Sequence, residues 1–195
     1  MVGARRTVTW IMRPIACGLA ARFRGFIADR RAVSALEFAL ILPIMLTLYF
    51  GTVDLGDGLI IKRKVTHVAS SLSDLVTQSK TITTADMKNI FDAAEAIIVP
   101  YDVGTLKMTV SEIKIDANGN ATVAWSKTRN GTALTKNSAY AGLPAGVKQA
   151  STYLITAKVS YDYTPTVGYV LTGTHTLEDQ FFLRPRQGAS IAEPL

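Results

Sequence analysis

One segment restricts this chain more than any other. A basic pair, Arg30-Arg31, opens an apolar run that reaches Val53 and holds a single charge, Glu37. The run begins Val33-Ser34-Ala35-Leu36-Glu37-Phe38-Ala39-Leu40-Ile41-Leu42-Pro43 and continues through Ile44, Met45, Leu46, Leu48, Tyr49 and Phe50. As an α-helix, residues 33–53 extend roughly 31 Å, about one bilayer core. A soluble fold gains little from such a surface, and a membrane helix gains little from a carboxylate. Together they predict a helix that enters a membrane and recognises something there. Pro43 would break a helix in water at about 3 kcal/mol, but inside a membrane bundle neighbouring groups satisfy the freed carbonyl.

The net charge of +6 lies ahead of this run. Residues 1–32 hold seven arginines and one acid, Asp29, while the 14 basic and 14 acidic residues that follow cancel. The excess therefore argues against a basic nucleic-acid face on the main domain. By the positive-inside rule it predicts a cytoplasmic leader over 1–32, a transmembrane helix over 33–53 and an exported domain over 54–195, entered through the acidic pair Asp54 and Asp57. A secretory signal fits less well, because the early stretch Trp10-Ile11-Met12 is interrupted by Arg13 and Pro14. Cys17 is the sole cysteine, which leaves no disulfide framework within one chain.

Beyond the run, Ile61, Val65, Val68, Leu72, Leu75 and Val76 recur at helical steps, with Lys62, Arg63 and Lys64 solvated between them, until Thr77-Gln78-Ser79-Lys80 ends the helix. A second helix is predicted from Thr84, with Met87, Ile90, Phe91, Ala94, Ile97 and Ile98 on one face and Pro100 as its stop. The period then falls to two. Leu106, Met108 and Val110 alternate, Ile113 and Ile115 resume out of phase, and a bulge is expected between them. Residues 116–120 form a turn into a strand in which Ala121, Val123 and Trp125 alternate, making a hairpin. A strand from Tyr153 to Tyr163 places Tyr153, Ile155, Ala157, Val159, Tyr161 and Tyr163 on one face, and a last strand covers Leu177 to Leu183. Residues 130–150 read as a long loop. The expected fold class is α+β: one N-terminal transmembrane helix extending into a pilin-like domain with an antiparallel sheet.

Catalytic patterns are not found. Asp116-Ala117-Asn118-Gly119-Asn120 imitates a calcium loop, but the twelfth position is Lys127 where a glutamate is needed. His67 and His175 lie far apart without spaced ligand partners. No Gly-Xaa-Ser-Xaa-Gly element and no phosphate-binding glycine loop occurs. The reading is of a protein without enzyme activity, cofactor, metal, nucleic acid or small-molecule substrate.

The segment Arg31-Ala32-Val33-Ser34-Ala35-Leu36-Glu37-Phe38-Ala39-Leu40-Ile41-Leu42-Pro43 resembles the N-terminal signature of TadE-like proteins, the TadE, TadF and TadG-type pseudopilins of tight-adherence (Flp-type) pilus assembly systems. Tyr161-Asp162-Tyr163-Thr164-Pro165 and Phe182-Leu183-Arg184-Pro185-Arg186 look like later segments of the same family. The resemblance implies a minor pseudopilin of the bacterial inner membrane, crossing once with its N-terminus cytoplasmic and its main domain periplasmic. It also implies cutting by a prepilin peptidase between Ala32 and Val33, where the family usually has glycine at the position of Ala32. Glu37, Phe38 and Pro43 would dock the helix against pilins and other assembly proteins in the membrane. The alternative is a membrane-anchored envelope binding or adhesion module outside any pilus.

Overall fold

A computed structural model describes residues 30–168 and 170–194. The expected leader, with Cys17 and most of its arginines, lies outside the described residues. The chain divides into two units, residues 1–49 and 50–195. Helix α1 runs unbroken from Arg30 to Thr77 through Pro43. The remaining elements belong to the second unit: helix α2 (Thr84–Ile98) and strands β1 (Leu106–Ile115), β2 (Ala121–Arg129), β3 (Thr152–Tyr163) and β4 (His175–Leu183). The strands form one antiparallel sheet in the order β2-β1-β3-β4. This is the α+β arrangement expected, with the last strand starting two residues earlier than its apolar pattern suggests.

The periodicity of α1 predicts its buried face. Ile61, Val65, Val68, Leu72 and Val76 fall on one stripe and are buried, joined by Ala69. Leu75 drops off the stripe and is exposed. Two of the three basic residues assigned to solvent instead tie elements together. Lys62 Nζ donates to the Glu178 carbonyl at 2.5 Å and pairs with Asp179 at 3.2 Å, joining α1 to β4. Lys64 Nζ donates to the carbonyls of Ile97 (2.9 Å) and Val99 (2.7 Å), satisfying acceptors at the end of α2 that have no helical donor.

At the other end of α2, Thr83 and Asp86 form a reciprocal capping box: the Asp86 N–H donates to Thr83 Oγ1 at 3.1 Å and the Thr83 N–H to Asp86 Oδ2 at 3.0 Å. Met87, Phe91, Ala94 and Ile98 then face the core, with Ile90 and Ile97 packed at its margin. The sheet contributes Leu106, Met108 and Val110 from β1 and Ile155, Ala157, Val159, Tyr161 and Tyr163 from β3. A buried Leu, Ile or Phe here contributes about 1.5–3 kcal/mol relative to exposure. Gly58 of α1 leaves room for the end of β3, since a Cβ there would stand 3.3 Å from the Tyr163 ring.

The bulge expected from the change of phase along β1 is present, with its register shift between Glu112 and Ile113. β1 pairs with β3 without interruption. The irregularity lies on the β2 side, where Glu112 pairs with Trp125 and Ile113 with Val123, so that Ala124 is the extra residue. Trp125 faces the helices, and Val123, two residues away, does not share its face. Ile113, Ile115, Val123 and Leu154 are all buried yet lie outside the helix-facing core. The second half of β1 thus turns its apolar side chains to the opposite face, beneath residues 130–150. That long loop is not idle: the Val123 N–H donates to the Ser138 carbonyl (3.0 Å) and the Tyr140 N–H to the Ala121 carbonyl (2.9 Å), which closes the outer edge of β2.

Candidate membrane-docking site

The apolar part of α1 is exposed on every side. Leu36, Phe38, Leu40, Ile44, Leu48 and Tyr49 are each more than half exposed. A soluble helix hides one stripe; a helix apolar all round needs an apolar surrounding. This stretch is long and apolar enough to cross a membrane. Glu37 lies exposed within it, one helical step before Phe38 and six residues before Pro43. Pro43 withholds one helical N–H, and its own carbonyl gains a second donor, Thr47 Oγ1 at 2.8 Å. Val33 is exposed near the helix start, and the backbone of Ala32 belongs to the same helix.

Asp54 is read from sequence only as an acidic flank. In the second unit it is completely buried. Its Oδ1 accepts the Val167 N–H at 3.1 Å and its carbonyl accepts the Tyr163 hydroxyl at 2.9 Å, while Oδ2 has no partner among the described residues. Burial, then the negative charges of Asp54 and Asp57, push the Tyr163 phenol above its ordinary range, so it stays a donor.

Glu112 is a second buried acid that sequence reasoning passed over. The signal was present: Leu106, Met108, Val110 and residue 112 share one face, and an acid on a core face is anomalous. Glu112 Oε1 accepts the Ile191 N–H at 2.7 Å, and the indole of Trp125 donates to the Ile191 carbonyl at 3.0 Å. Burial pushes this carboxyl up, against the Ile191 N–H and the Trp125 indole, which favour its ionised form. A carboxyl raised in the folded state holds its proton more tightly there than in the unfolded chain. Its contribution to stability is complete below the ordinary value of 4.5 and is lost as pH rises through the folded value. Each unit of separation is worth about 1.4 kcal/mol. Glu112→Gln keeps an acceptor for Ile191, so wild type is expected to lose stability relative to the variant as pH climbs from the weakly acidic range to neutrality. Asp162 and Asp179, held low overall, work in the opposite sense at lower pH and cancel in the comparison. Thermal midpoints of both proteins across a pH series decide it; parallel curves would refute the assignment.

Residues 116–120 are a side-chain-closed turn, with Asp116 Oδ1 accepting the Asn120 N–H at 2.7 Å. His67 and His175 are exposed. Among the described residues no cluster of three or more His, Cys, Asp or Glu could hold a metal. Tyr161 and Tyr163 are packed in the core.

Residues 32–71 match the family model described as TadE-like protein. The match contains the motif from Val33 to Pro43 and extends along α1 into its core-packed half. No curated protein and no solved structure matches the chain.

Proposed function

We propose that the TadE-like segment makes this protein a minor pseudopilin-like component of a tight-adherence (Flp, type IVb) pilus assembly system, acting by protein-protein assembly in the bacterial inner membrane. The observation that carries the reading is a coincidence in one helix: the family match over 32–71 covers an apolar surface exposed on all sides and bearing one carboxylate. Residues 1–32 remain in the cytoplasm, 33–53 cross the bilayer and 54–195 form the periplasmic domain. The excess of arginine before the span supports that orientation.

Prepilin peptidase cuts between Ala32 and Val33. The new α-amine of Val33 then stands at the positive end of the α1 dipole. A buried amine and a buried carboxylate are each costly alone and tolerable as a pair. Glu37 of one subunit receives the amine of a neighbour, while Phe38 and the Pro43 region pack against pilin helices. A simple membrane anchor needs neither the cut nor the acid. Intact-mass measurement of protein extracted from membranes of the native host is expected to find a chain starting at Val33. A full-length chain starting at Met1 in cells with an active peptidase overturns the processing step.

A further inference from the structure

The face of the sheet turned away from the helices carries a cleft that membrane docking does not use. It encloses about 440 Å³ between the strands and the loop after β2, a size suited to a small ligand. Its floor is made of hydroxyls: Thr109 and Ser111 from β1, Thr156 and Ser160 from β3. Ser111 and Thr156 are only 1% and 3% exposed. A sheltered polar floor is costly unless its groups are satisfied. Ser111 Oγ shares a 2.8 Å hydrogen bond with Ser126 Oγ, and Gln180 Nε2 donates to both Thr156 Oγ1 and the Tyr140 hydroxyl at 2.6 Å. Gln180 therefore links the floor to the loop above it. The rim is trimmed at Gly131, where a Cβ would stand 2.9 Å from Thr128 Oγ1.

Charge decides the class of ligand. Lys107 and Lys158 border the cleft, but Lys107 pairs with Asp162 at 2.7 Å and Lys158 with Glu178 at 3.0 Å. A phosphate or an acidic peptide would find both cations already engaged. What remains is a net-neutral wall of hydroxyl, phenol and amide groups; Thr109 shares a hydrogen bond with Thr128, as Ser111 does with Ser126, but each hydroxyl oxygen has two lone pairs and so keeps capacity for a ligand. Leu134 and the Tyr140 ring add apolar surface beside them. Sugar rings present the same mixture, hydroxyls at the edge and C–H groups on the face. We infer that this cleft binds a neutral oligosaccharide, which makes the outer sheet face a glycan-recognition surface separate from the membrane helix. The glycan is a ligand and not a substrate, because no carboxyl pair lines the cleft to cleave it.

Full-length protein in detergent micelles is titrated calorimetrically with maltotetraose, with tetra-N-acetylchitotetraose and with a heparin tetrasaccharide. The two neutral probes separate a plain glucan from a glycan of N-acetylated sugars, and the third is a polyanion control. Saturable binding of at least one neutral probe is expected. Ser160→Trp fills the floor and should weaken that binding by about tenfold or more, with the thermal midpoint unchanged. Thr132→Trp blocks the loop side without touching a strand, so a folding failure of the first variant leaves the question decidable. Binding of neither neutral probe, binding of heparin alone, or full binding by the folded variants overturns the inference.

Discussion

Glu37→Gln is expected to release this protein from its membrane partners while leaving its own fold intact. The variant keeps the shape of the side chain and removes only its charge. A carboxylate near the middle of a membrane helix costs about 2.5–3.5 kcal/mol on insertion scales, and less toward the helix end, where Glu37 lies. Removing it therefore does not impair insertion. The loss falls on the assembly: breaking one side of a buried ion pair costs about 3–5 kcal/mol, because the surviving charge is left uncompensated. That is a loss of roughly two to three and a half orders of magnitude in association. Co-purification of partners from crosslinked membranes measures it, with circular dichroism of the isolated variant as the folding control. Phe38→Ala removes packing and no charge, so its effect should be smaller. Partner recovery with Glu37→Gln equal to wild type would sink the pairing.

The helical half of the second unit was legible because its sequence signals are local. The Ile61 to Val76 stripe and the Thr83/Asp86 cap each depend on spacing within one helix. The sheet was legible in its strands and not in its faces. The apolar positions of β1 shift from even to odd after Val110, and the bulge this signals is present between Glu112 and Ile113. The arrangement around it is non-local: two apolar layers, one against the helices and one beneath the loop after β2, with Ala124 of β2 as the extra residue. The loop itself gave no sign of this, because its hold on β2 is made by backbone groups that any sequence possesses. Glu37 was conspicuous because a lone acid in an apolar run stands out against its background. Asp54 and Glu112 were not, since an acid looks solvated until the chain that covers it is placed, and Ile191 lies 79 positions from Glu112.

Trp125→Ala should be among the most damaging single changes in the second unit, costing about 3–5 kcal/mol where a whole domain is stable by about 5–15 kcal/mol. Two losses combine. The ring, 2% exposed, is part of the core, so its removal leaves a cavity. Its N–H also holds the Ile191 carbonyl, while Glu112 holds the Ile191 N–H. Glu112 and Trp125 pair directly across β1 and β2, so one cross-strand pair grips both backbone groups of a residue from the C-terminal segment. Trp125→Phe separates the two losses, since it keeps most of the apolar volume and removes the donor. An unpaired buried carbonyl costs about 1–3 kcal/mol, and the phenylalanine variant should fall in that range. Urea unfolding of full-length protein in micelles, followed by hydrogen exchange at Ile191, checks both values. Wild-type stability in Trp125→Phe would mean that the grip on Ile191 contributes nothing. Equal stability of the two variants would mean that the packing of the ring contributes nothing. The expected order also bears on the bulge at Ala124: were the register of Ile113 with Val123 carried on unshifted, Ala124 would stand opposite Glu112 and Trp125 opposite Ser111, and neither Glu112 nor Trp125 alone could satisfy both groups of Ile191.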